Sequence, residues 1–145
     1  MTVVDCDPAP ARALDGRQVQ VLRGGGVSLV LATADDGLPE VLHWGRDVGP
    51  VTDGAELLLA LGRPLGPSAL DAAWPLTVLP TERDGWEGRP AIAGHVDGLP
   101  LVPRWRDVEV TAEPGALVVT AVSDELLLRS AFRLDAAGCC ASGTP

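Results

Sequence analysis

Residues 18–22, Gln18-Val19-Gln20-Val21-Leu22, alternate polar and apolar side chains, the two-residue period of a half-buried strand. Arg23-Gly24-Gly25-Gly26 then turns the chain. Residues 27–34 are rich in β-branched and apolar side chains and predict a second strand, ending at the turn signal Asp35-Asp36-Gly37. Residues 38–48 resume as an extended segment. Pro39 places it at a strand start or a sheet edge, because proline has no N–H to give to a ladder. The two segments around Asp-Gly predict a hairpin. Residues 56–61, Glu-Leu-Leu-Leu-Ala-Leu, fit a helical turn or a buried strand, and six residues do not decide between them.

Residues 63–103 are dominated by Gly and Pro and read as long loops, with Trp74 and Trp86 inside them. Loops of that length are uncommon in compact domains unless they bind something or pack on another domain. Strands return over 108–111, 116–122 and 126–134, with turns at Glu113-Pro114-Gly115 and Asp135-Ala136-Ala137-Gly138. Short, regularly spaced strands with almost no helix predict an all-β fold, an antiparallel β-sandwich. Residues 1–16 read as an N-terminal tail, and residues 17–138 carry the sandwich pattern.

Charge narrows the function classes. The formal net charge of -9 repels phosphate backbones and argues against a nucleic-acid partner. A hydrophobic content of 46% belongs with globular chains rather than disordered ones. Residues 1–12 are polar, acidic and proline-containing, without the apolar core of a secretory signal, and the apolar runs fall short of a membrane span. The expectation is a cytoplasmic protein with no membrane partner. Cys6, Cys139 and Cys140 are an odd number with two adjacent, which makes neither a disulfide framework nor a CxxC metal site. All eleven basic residues are Arg, which with abundant Ala, Gly and Pro points to a GC-rich coding sequence.

Candidate chemistry is sparse. Gly24-Gly25-Gly26 could cradle a phosphate, but the Lys and Ser/Thr of a P-loop are missing and a strand follows, so a tight turn is the better reading. His43 and His95 are the two histidines. A Ser-His-Asp triad could be drawn through Asp47, yet nothing resembles a nucleophile elbow, and a structural His is the simpler reading. No catalytic constellation, no metal site and no cofactor is expected. Trp44, Trp74, Trp86 and Trp105 stand out in a chain with 3% aromatics. Indole faces stack on the C–H faces of sugars while nearby Arg, Asp or His meet the hydroxyls. Trp86 beside Arg83, Asp84 and Arg89 suits that role. Capping a core or a domain interface suits each Trp as well.

The segments Gly25-Gly26-Val27-Ser28-Leu29-Val30-Leu31 and Leu38-Pro39-Glu40-Val41-Leu42-His43-Trp44-Gly45 resemble the opening of glycoside hydrolase family 36 α-galactosidases of the actinobacterial type. The order continues through Leu70-Asp71, Leu79-Pro80, Gly85-Trp86, Gly88-Arg89-Pro90 and Gly94-His95, and departs at Val96, where an Arg is expected. The resemblance implies a retaining enzyme acting on terminal α-D-galactosyl residues, with an N-terminal β-supersandwich, a (β/α)₈ barrel and a C-terminal β domain. Its two catalytic Asp lie in the barrel, so none falls in this chain. In tetrameric members, loops of the sandwich line a neighbouring subunit's active site. The matching stretch is about residues 67–90, which makes Asp71, Trp86 and Arg89 candidate rim residues and His43, Trp44 and Trp74 secondary ones. The implied partners are an α-galactoside in the full-length enzyme, the barrel domain and further copies of the subunit.

With one choice of codons, the bases encoding residues 138–145 and a stop read LLRVRHTL when shifted by one position. That run is of the kind which follows this turn in the family. The expectation is a frameshift near the Gly138 codon, with residues 139–145 an out-of-frame tail of a truncated sandwich. The alternative expectation is a stand-alone carbohydrate-binding or subunit-interface β-sandwich without catalysis.

Overall fold

The computed structural model describes residues 11–12, 17–33, 37–62, 74–134 and 140–143. The fold is an all-β sandwich with one short helix among the described residues. The first sheet has the order β1 (Ala11–Arg12), β2 (Gln18–Gly24), β3 (Val27–Thr33), β4 (Glu40–Arg46), all antiparallel. A two-residue-strand hairpin follows, β5 (His95–Val96) with β6 (Leu99–Pro100). The second large sheet joins β7 (Asp107–Glu113), β8 (Ala116–Val122), β9 (Leu127–Leu134) and β10 (Cys140–Gly143) in the spatial order β10-β9-β8-β7.

The expected hairpins are present. Between β2 and β3, Gly25 and Gly26 have φ of 56° and 77°, the left-handed pair that a two-residue hairpin turn demands. A side chain at either position would be strained, so the glycine run serves the turn. Alternation puts Leu22, Leu29 and Leu31 on one face of the first sheet and Leu117, Val119 and Leu134 on the facing side of the second. These six form the inter-sheet core.

Two expectations need correction or resolution. Residues 56–61, open between helix and strand, lie in helix α1 (Gly54–Leu61), whose N-cap Asp53 accepts from the Ala55 N–H at 2.8 Å. Strand β2 reads as half-buried from its alternation, yet it is buried on both faces. Leu58 of α1, with the partly buried Leu57 and Leu61, covers Val19, Val21, Val30 and Ala32 on the side away from the second sheet. Gln20 is thereby trapped on the inter-sheet side, and its buried Oε1 accepts no hydrogen bond. No helix among the described residues is long and apolar enough to cross a membrane.

Candidate functional site

Residues 74–106 are the irregular segment that the Gly and Pro content predicts, and three devices stiffen it. Leu76–Val78 runs antiparallel along the start of β4: Val41 N–H donates to the Leu76 carbonyl at 2.7 Å, and Val78 N–H to the Pro39 carbonyl at 2.9 Å. Next, Asp84 closes a 3-10 turn at Glu82–Asp84. Its Oδ2 accepts from the Thr81 N–H and Thr81 Oγ1, both at 2.9 Å, and from Thr77 Oγ1 at 3.3 Å. Thr77 and Thr81 are buried, so the carboxylate takes up donors that would otherwise lack partners. Third, Ala91 N–H donates to the Pro80 carbonyl at 2.8 Å and closes the loop's base.

On this frame sit two indoles. Trp74 is 59% exposed and lies on the backbone of Gly85, where a Cβ would fall 2.4 Å from the ring. Gly85 has φ of 72°, so both the backbone and the ring call for glycine. Trp86 is 41% exposed, rests on Gly88 and donates its Nε1–H to the Arg89 carbonyl at 3.1 Å. A cleft of about 390 Å³ opens beside Trp74, lined by Gly37, Pro75, Arg83, Asp84 and Trp105. Trp105 is the indole that the core absorbs: it packs with Leu38, Ala121 and Leu128, and its buried Nε1 has no partner. Arg83 also lines a second cleft, of about 430 Å³, with Val96, Leu99, Val102 and Arg104. Among the described residues, Arg83, Arg89 and Arg104 make no ion pair. Trp74 and Arg83 thus line one cleft, and Trp86 stands exposed on the same loop, one residue beyond the Gly85 on which Trp74 rests.

Gly85→Ala is expected to lower stability by about 1–2 kcal/mol and to expel the Trp74 ring from its seat. The checks are the urea midpoint and the tryptophan emission, which should shift to the red. An unchanged emission maximum would mean that the ring is not held there.

The remaining candidates are placed elsewhere. His43 and Trp44 lie toward the far end of β4 from Glu40, where the Trp-bearing loop is anchored; three residues of strand stand between Glu40 and Trp44. Opposite the step from Val30 to Leu31, Leu42 is an extra residue that bulges β4 and resets its alternation; Trp44 stands opposite Leu29 and is 62% exposed. His43 Nε2 lies 2.9 Å from the Arg46 carbonyl and serves it as a donor. The triad that could be drawn through Asp47 is not formed. The Asp47 carboxylate accepts both guanidinium arms of Arg23, at 2.7 and 2.6 Å, Ser28 Oγ at 2.6 Å and Gly49 N–H at 3.1 Å. The hydrogen bonds from Arg23 and Ser28 hold its pKa far below the usual carboxylate range, against the opposing effect of burial. Asp71 lies outside the described residues. Among the described residues, no three of His, Cys, Asp and Glu gather into a cluster able to hold a metal ion.

Sequence reading placed Arg83 and Asp84 beside Trp86 but missed that Asp84 supports the loop rather than facing a ligand. The spacing Thr81-Glu82-Arg83-Asp84, a capping-box pattern, carried that signal. Compared with protein-family models, curated proteins and solved structures, the chain matches none.

Proposed function

We propose that this chain is a non-catalytic β-sandwich that meets carbohydrate through the surface of Trp74, Arg83, Trp86 and Arg89. The role is the one implied by its resemblance to the N-terminal sandwich of family 36 α-galactosidases. In that reading the loop contributes to the rim of an active site that hydrolyses terminal α-D-galactosyl residues, and the acid/base and nucleophile belong to another domain. The observation that carries it is the pair of exposed indoles on a loop stiffened by Asp84, with Arg83 lining the cleft beside Trp74, Arg89 following Trp86 by three residues, and neither guanidinium in an ion pair among the described residues. Exposed indole faces present stacking area at little entropic cost, and unpaired guanidinium groups donate to hydroxyls.

A second reading, a subunit- or domain-interface sandwich, is favoured by the exposed apolar residues Val96, Leu99 and Val102 around the β5–β6 hairpin. Titration with methyl α-galactoside and raffinose, with maltose as the control sugar, separates the two. Galactosides are expected to perturb the tryptophan emission of the chain. The response should be lost in Trp86→Ala, weakened in Arg89→Ala and retained in Trp44→Ala. No response to any sugar would favour the interface, and equal loss in Trp44→Ala would remove the loop from the reading.

A further inference from the structure

The two large sheets treat their outer strands differently. In the first, Leu76–Val78 pairs with the start of β4. In the second, β7 is the end strand, and among the described residues nothing pairs with its outer side. Every second residue of β7 turns its N–H and C=O away from β8, and this open row is a template for a further strand. The side chains of β7 say which strand. Val108, Val110 and Ala112 stand opposite Ala121, Val119 and Leu117 on the core-facing side, yet remain only half-buried, because no neighbour covers their outer flank. On the other face Asp107, Glu109 and Thr111 are exposed, and Glu113 reaches Arg129 at 3.5 Å. Asp107 and Glu109 have no ion pair among the described residues.

A second copy of this strand is a poor occupant. Antiparallel pairing about Val110 sets Asp107 opposite Glu113. Sliding by two residues, the step that keeps the faces matched, sets Glu109 against itself or against Glu113. Like charges directly opposite destabilise a strand pair, so each of these registers is penalised. We infer that the β7 edge takes an extended segment of a basic partner protein. Its apolar side chains continue the core face beyond Val108 and Val110, and its Lys or Arg side chains meet Asp107 and Glu109. Main-chain hydrogen bonds supply the affinity and the alternate charges the selectivity. This edge uses none of the indole or guanidinium groups of the Trp74–Trp86 loop, and its role stands or falls independently of the galactoside reading.

The test uses three labelled peptides with the intact chain: TRVRVRVRT, its acidic counterpart TEVEVEVET, and TRVRPRVRT, in which proline removes a ladder donor. The basic peptide is expected to bind in fluorescence anisotropy, to weaken with added salt, and to slow hydrogen exchange at alternate amides of residues 107–113. Double charge reversal, Asp107→Lys with Glu109→Lys, should weaken it about tenfold. Both positions are exposed, so the variant keeps the core intact. The proline and acidic peptides should bind far more weakly. Equal binding of the proline peptide, or protection elsewhere than in β7, would overturn the proposal. So would the absence of binding, which would leave the acidic edge as a guard against self-pairing.

Discussion

Replacing Leu117 by Ala is expected to cost about 3 kcal/mol of folding stability. Leu117 is fully buried at the centre of the inter-sheet core, against Leu22, Leu29, Leu31 and Val119. Truncation removes apolar contacts with both sheets and leaves a cavity that neither hydrogen-bonded sheet can easily close. The measurement is the urea midpoint, which should fall at unchanged slope. Leu127→Ala provides the comparison within the same sheet: Leu127 is 74% exposed, and its loss should change stability by no more than about 0.5 kcal/mol. Equal effects of the two substitutions would mean that the sheets do not pack through these leucines.

Asp47→Asn is expected to remove about 2 kcal/mol at neutral pH, because the carboxylate gathers Arg23, Ser28 and the Gly49 N–H at the end of β4. An amide accepts at one oxygen only, which breaks the bidentate pair with Arg23. The pH dependence has a definite sign. Since Asp47 is held ionised in the folded chain, its pKa there lies below the unfolded value of about 3.9. Its contribution is therefore complete above the unfolded pKa and is lost as pH falls toward the folded one. The stability difference between the parent chain and Asp47→Asn should stay constant from about pH 7 to pH 5 and shrink steadily below about pH 4. Thermal melts across that range read it. A difference that grows on acidification would contradict the assigned pairing.

Much of the architecture is written locally. Val27 to Thr33 forms β3 because its β-branched and apolar run suits a strand buried on both faces, and Gly25-Gly26 closes the hairpin because both residues need positive φ. Leu117 and Val119 of β8 face the inter-sheet core at the two-residue period of a strand, while Ala116 and Val118 of its consecutive apolar run are buried on the other face. Asp97-Gly98, with φ of 51° and 80°, makes the β5–β6 turn within a stretch read as loop; the Asp-Gly pair was the available signal.

The site was legible in composition and not in arrangement. Trp74 and Trp86 stood out by residue type in a Gly/Pro-rich stretch, but the seat of Trp74 on Gly85, that of Trp86 on Gly88 and the turn held by Asp84 between them are set by packing. Trp105, of the same type and close in sequence, went into the core with Leu38 and Ala121. Likewise, residues 56–61 became a helix whose Leu58 covers Val19 and Val21, and Asp47 found Arg23 across 24 positions instead of His43 nearby. By itself the amino-acid sequence determined the strand periods, the turns and the all-β class, since these depend on interactions between near neighbours in the chain. Only the tertiary structure decided which indoles face solvent, which carboxylates are structural and which strand edge stays open. Those outcomes depend on burial and on partners distant in sequence, which local patterning does not encode.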